Sequence, residues 1–230
     1  MTVHTITDWT PSVVVFDCDG TLMDTERHWQ AARDTVLLGY GVVPDPEFAE
    51  LSKGVHYTDC GRMMAQFAGR PESTQAMTVQ LLDAFRKLVA ENPVPTPGAE
   101  RMVAGVARFA PLAVASNCPL DVVESCLEAV GLLRYFERIV VPGDGVRPKP
   151  DPDPYLTAVR ALGGEPRDAL AVEDSVCGLR SAAAAGLRVL GVGPRPADEA
   201  TELADWWVPS LAEPGLTAWV AGRIPRQPVA

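Results

Sequence analysis

The sequence predicts a three-layer α/β protein whose parallel sheet is interrupted early by an all-helical insertion. Three observations carry that expectation. Short runs rich in Val, Leu or Ile recur at Val13–Phe16, Leu112–Ala115, 138–141, 169–172 and 189–192. They alternate little, as strands covered on both faces of a parallel sheet do. Helical patterns separate the later runs, which makes βαβ units. Residues 25–91 break the rhythm, with amphipathic segments and no convincing strand.

Each element has its own signal. VVVF at Val13–Phe16 runs straight into Asp17-Cys18-Asp19 and the turn residues Gly20-Thr21. Over 25–38, Trp29, Ala32, Val36 and Leu37 fall near helical spacing, and over 74–90 so do Leu81, Leu82, Phe85, Leu88 and Val89. The segment NPVPTPG at 92–98 has three prolines and reads as a hinge back into the core. A helix over 120–130 follows Pro119 and stops at Gly131. A second, over 154–162, has Asp153 as N-cap and Pro154 at N1, and stops at Gly163. A third, Ala-rich, runs over 176–185 with Ser175 as N-cap and Gly186 at C′. The Trp206-Trp207 pair reads as packing, and the tail from Gly222 as loosely ordered.

Composition narrows the function. With 30 Asp and Glu against 20 Lys and Arg, the net charge is −10 and there is no basic stripe, which argues against nucleic-acid and anionic-membrane partners. The five cysteines, Cys18, Cys60, Cys118, Cys126 and Cys177, form no C-x-x-C pair, so a reducing cytosol is expected and zinc is not. No apolar run approaches the length of a membrane span, and MTVHTITDWT lacks the regions of a signal peptide. A cytoplasmic monomer or weak dimer is the expectation.

Four strand ends carry polar residues that the strands do not need: Asp17 and Asp19, Ser116-Asn117, Lys149 in RPKPDP, and Glu173-Asp174. Carboxylates at the tip of an apolar strand repel one another and resist burial, so something must offset that cost. In an open parallel sheet the carboxyl ends of strands share one crevice, which brings these groups together. Oxygen ligands without His or Cys favour a hard cation, Mg²⁺ first. A carboxylate beside Mg²⁺, with an ammonium and a hydroxyl to neutralise phosphoryl oxygens, suits phosphoryl transfer. Cys18, between the two acids, points away by strand alternation and reads as core.

FDCDGTLMDTE, ASN, KPDP and EDS, in that order, resemble the four motifs of the haloacid dehalogenase superfamily of phosphotransferases, in its phosphoglucomutase and sugar-phosphate phosphatase branch. The resemblance implies a Rossmann-like core at 1–21 and 96–230 with a helical cap at 22–95. It implies that Asp17 is the nucleophile and Asp19 the general acid and then base. Asp17, the Asp19 carbonyl and Asp174 would hold Mg²⁺, with Glu173 near it, while Ser116, Asn117 and Lys149 would bind the phosphoryl group. In the cap, His28, Lys53, His56 and Arg62 are candidate substrate contacts.

The expected activity is hydrolysis of a small phosphorylated metabolite, a sugar or sugar-acid phosphate, through an aspartyl-phosphate. A β-phosphoglucomutase-type mutase is the alternative. Mutases of this branch place a His where this chain has Trp29, with His28 one position early, and an Arg after Gly-Val-x, where it reads Lys53-Gly54-Val55-His56-Tyr57. Both departures favour hydrolysis. From a different class, a phospho-accepting signalling module would not need the helical insertion, and a non-catalytic binding protein would not need every acid.

Overall fold

A computed structural model of the chain describes residues 6–225. Its sheet has six strands: β1 (Val13–Phe16), β2 (Leu112–Ala115), β3 (Arg138–Val140), β4 (Ala169–Glu173), β5 (Arg188–Val192) and β6 (Trp206–Val208). Their order is β3-β2-β1-β4-β5-β6 and every adjacent pair is parallel. All four residues of β1 and of β2 are buried, which explains the unalternating apolar runs. β6 begins with the Trp206-Trp207 pair: the Trp207 indole donates to the Gly193 carbonyl at 2.9 Å, and Trp206 lies edge-on to Trp219.

Helices cover both faces. Val13 and Val15 face α7 (Asp153–Ala161) and α8 (Val176–Ala184) through Tyr155, Ala158, Val159, Leu179 and Ala182. Val14 and Phe16 face the other layer, α5 (Ala99–Val106), α6 (Leu120–Ala129) and α9 (Pro214–Ala221). Cys18 is buried in that second layer, as expected. Ser175 caps α8 by accepting the Gly178 N–H at 3.0 Å, and Gly186 follows with φ +82°. Asp153 is not the cap of α7; Pro152 is, because the Asp153 carboxylate is drawn to Arg147 at 2.9 Å.

The insertion between β1 and β2 holds α1 (Glu26–Gly39), α2 (Pro46–Leu51), α3 (Tyr57–Phe67) and α4 (Thr74–Glu91). Leu37, Met64, Met77, Leu81 and Phe85 bury their side chains between these helices, each worth about 1.5–3 kcal/mol of burial. Two chain crossings join the insertion to the sheet: Asp24 N–H donates to Val94 O at 2.8 Å and Thr96 N–H to Leu22 O at 2.9 Å. The proline segment thus pairs with the residues just after the first acids. At the far end, the tail expected to be loose from Gly222 is anchored at Arg223, and its residues 226–230 lie outside the described residues. Arg223 donates to the Trp9, Trp219 and Thr7 carbonyls and pins the chain back onto the core.

Candidate active site

Strand order reverses at β1: the chain runs outward to β3 on one side and then returns to β4 on the other. Such a switch point opens a crevice at the carboxyl ends of the strands. Asp17 follows β1 and Glu173 ends β4, so the first acid and the last two lie side by side there.

One ammonium sits among these carboxylates. Lys149 Nζ donates to Asp17 Oδ1 and to Glu173 Oε1, each at 2.6 Å, and lies 3.3 Å from the Tyr155 hydroxyl. The Tyr155 O–H donates to Glu173 Oε1 at 2.8 Å. Glu173 Oε2 accepts the Asp174 and Ser175 N–H groups and the Ser175 hydroxyl at 3.0–3.1 Å. Gly178 is needed beside it, since a Cβ there would collide with the Glu173 carboxylate. Glu173 is thus fully spent inside the protein, holding Lys149 and shaping the turn. Asp17 keeps a free atom: its Oδ2 is buried and has no partner.

The electrostatics follow from that crowding. Burial raises the Asp17 carboxyl well above the usual carboxylate range; Lys149 opposes it, while Glu173, Asp174 and Asp19 add to it. Asp174 is pushed up to about 8, by burial first and then by Glu173. Burial works against the Lys149 charge, but Asp17 and Glu173 outweigh it and hold the ammonium well above the usual lysine range.

Asp19 faces the insertion. Its Oδ1 accepts the Thr25 hydroxyl at 2.7 Å and the Trp29 indole N–H at 3.2 Å, and Oδ2 accepts the Ser116 hydroxyl at 3.4 Å. Burial raises its carboxyl, and the Thr25 and Trp29 hydrogen bonds oppose that rise. Asp174 Oδ1 accepts the Thr21 hydroxyl at 3.0 Å. Asn117 ties loops together: its Oδ1 accepts the Lys149 N–H at 2.8 Å, and its Nδ2 donates to Lys149 O at 3.1 Å and reaches Gly54 O at 3.5 Å.

Carboxylate oxygens of Asp17, Glu173 and Asp174 lie within 4.8 Å of one another. Three acids this close, offering oxygen donors alone, with a buried Asp17 oxygen unpartnered, fit a hard divalent cation such as Mg²⁺. The Asp19 side chain is outside this cluster, engaged with Thr25, Trp29 and Ser116.

The cavity above these groups is walled by core and insertion together and encloses about 590 Å³ of atom-free space, counting its solvent-facing mouth. Asp17, Asp19, Ser116, Asn117, Lys149 and Asp174 line it, so every predicted strand end except the spent Glu173 reaches one wall. Of the four cap candidates, only Lys53 does. His28 is buried away from it. The His56 Nδ1 is paired with Thr58 Oγ1 at 2.7 Å and its ring packs on Tyr57, while Arg62 lies outward in an ion pair with Asp59. Sequence reasoning missed Thr25, Glu26, Arg33, Tyr57 and Tyr155. Tyr155 is six residues beyond Lys149 on an ordinary helix face, and nothing in its spacing marks it.

An acid at the tip of the central strand, roofed by a helical insertion, defines a class, and comparison with known families agrees. The model of the haloacid dehalogenase-like hydrolases matches residues 14–192, and the chain belongs to that family. Within it, the chain is a phosphoric monoester hydrolase. It is 30% identical over 203 residues to validoxylamine A 7'-phosphate phosphatase of Streptomyces hygroscopicus subsp. limoneus, covering 87% of this chain and 94% of that protein. It is 26% identical over 179 residues to fructose-1-phosphate phosphatase YqaB of Escherichia coli K12, covering 78% and 95%. Among solved structures, CbbY of Rhodobacter sphaeroides in complex with phosphate superposes with a TM-score of 0.76 at 29% identity, covering 92% of this chain and all of that one.

Proposed function

We propose that this protein is a Mg²⁺-dependent phosphatase that hydrolyses a small phosphorylated metabolite, a sugar or sugar-acid phosphate, through an aspartyl-phosphate on Asp17. The observation that carries this reading is the unpartnered, buried Oδ2 of Asp17 beside a lysine-held Oδ1 on the cavity wall. One oxygen is anchored by Lys149 and the other has no partner within the protein.

The Asp17 carboxylate attacks phosphorus and the ester P–O bond breaks. Lys149 and the Ser116 hydroxyl offset the negative charge on the phosphoryl oxygens. Asp19, whose carboxyl burial helps to keep protonated, gives its proton to the departing oxygen. The same carboxylate then takes a proton from water as that water attacks phosphorus, releasing phosphate and regenerating Asp17. Mg²⁺ held by Asp17, Asp174 and the Asp19 carbonyl, with Glu173 adjoining, supplies neutralisation of phosphoryl charge when bound. Residues 22–95 act as a cap that excludes bulk water and reads the leaving group.

Hydrolysis is favoured over isomerisation by Trp29, because its indole N–H only donates and cannot take up a proton beside Asp19. The fructose-1-phosphate and validoxylamine 7'-phosphate phosphatases among the relatives support a polyol-type ester. The test is phosphate release from a panel of phosphorylated metabolites with purified protein and Mg²⁺. The panel includes β-glucose 1-phosphate with its bisphosphate activator. Phosphate release lost in Asp17→Asn is the expected result. Isomerisation without release would establish the mutase, and turnover in Asp17→Asn would remove the nucleophile assignment.

A further inference from the structure

We propose that Glu26 and Arg33, both on α1, read the leaving group as a pair and select a neutral polyhydroxylated one over one that carries a carboxylate. This rests on the phosphatase reading above and names the chemistry its cap half accepts.

The side chain of Arg33 is only 3% exposed. A buried guanidinium is costly unless its donors are used. Nη2 donates to Glu26 Oε1 at 2.7 Å and to Gln30 Oε1 at 3.1 Å, and Nη1 reaches Ser52 O at 3.5 Å. The Nε–H has no partner. Arg33 lines the same cavity as Asp17, Asp19 and Lys149, and its unused donor lies buried beside that site. Glu26 lines that wall as well, with Oε1 engaged by Arg33 and no protein donor on Oε2 among the described residues.

A free acceptor and a free donor thus stand on one charge-neutral pair. Neighbouring hydroxyls match them, one donating to Glu26 Oε2 and the other accepting from Arg33 Nε–H. A leaving group with a carboxylate would satisfy the donor but meet the Glu26 carboxylate, a repulsive element of the kind that sets specificity. Lys53 lies on the same wall and argues the other way, since its ammonium would draw a carboxylate. The pair is favoured because Arg33 is buried with a donor to satisfy, whereas the Lys53 side chain is partly solvated.

The experiment compares kcat/KM for fructose 1-phosphate and for phosphoglycolate, with p-nitrophenyl phosphate as an ester that has neither feature. The wild type should favour fructose 1-phosphate over phosphoglycolate by roughly tenfold or more. Glu26→Gln keeps an acceptor for Arg33 and removes the charge. It should narrow that ratio by roughly tenfold, chiefly through a lower KM for phosphoglycolate. A wild-type preference for phosphoglycolate, which needs no variant to fold, overturns the proposal and points to Lys53. So does a ratio unmoved in a Glu26→Gln protein whose thermal unfolding is normal. Absence of phosphate release from all three esters would instead overturn the phosphatase reading itself, and this proposal with it.

Discussion

The Trp29 indole N–H donates to Asp19 Oδ1 at 3.2 Å while its ring stacks on Phe85 at 3.7 Å between centroids. A residue of the helical insertion therefore positions a core acid, and a buried aromatic of α4 positions that residue in turn. Trp29→Phe keeps the stack and removes the donor. Losing one hydrogen bond to a charged group should lower kcat/KM by roughly tenfold. The carboxylate form of Asp19 loses support, so its pKa rises and the pH–rate profile should move to higher pH. A profile at the wild-type position would show that Trp29 only fills space.

Lys149 is the single cation between Asp17 and Glu173, with side-chain exposures of 3%, 10% and 0%. Lys149→Met leaves two buried carboxylates facing each other. Unfolding in urea should show a loss of about 3–5 kcal/mol, with turnover abolished. Added Mg²⁺ should restore part of the stability and none of the activity.

Metal removal has a pH signature. In the metal-free protein Asp17 lies well above the usual carboxylate range and Asp174 is pushed up to about 8. The folded chain then holds protons that the unfolded chain has lost. This contribution to stability is complete below the unfolded value near 3.8 and is lost as pH rises through the folded values. Bound Mg²⁺ replaces those protons, so the rise in Tm on adding Mg²⁺ should be larger at about pH 8 than at about pH 5. Chelation should stop turnover and Mg²⁺ should restore it. A Tm increment independent of pH would mean that the ion binds elsewhere.

Gly54 marks where the insertion meets the core. It has φ +68°, and a Cβ would lie 2.9 Å from Ser175 Cβ. Gly54→Ala is strained on both counts, and only the second reaches the cap–core contact. Stability should fall by roughly 1–2 kcal/mol, while kcat/KM should fall by roughly tenfold because the two walls no longer meet. Unchanged kinetics at the reduced stability would show that this contact is not part of the closed site.

Much of the site was legible in the sequence because it sits on strand ends. The apolar runs identify strands, parallel strands share an end, and acids placed there have no structural use, so Asp17, Lys149 and Asp174 could be grouped across more than 150 residues of chain. The cap was not legible in this way. On a helix, polar side chains recur on every solvated face, and His28 and Arg62 look as eligible as Glu26 and Arg33. Glu173 shows the same limit inside a motif: its position was legible, but not that Tyr155, Ser175 and Lys149 would occupy it.

The sequence by itself determined a parallel α/β sheet, its helical interruption and the acids at its switch point, because burial periodicity and strand-end chemistry are local and repeat along the chain. Only the tertiary structure decided which cap residues reach the cavity, that Trp29 serves Asp19, and that Asp17 alone in the acid cluster keeps a buried oxygen free. Those outcomes depend on how α1 is rotated and seated over β1. That orientation is set jointly by the packing of Leu37, Met64, Met77, Leu81 and Phe85 within the insertion and by the links from Asp24 to Val94 and from Thr96 to Leu22 at its base, and no single stretch of sequence encodes it.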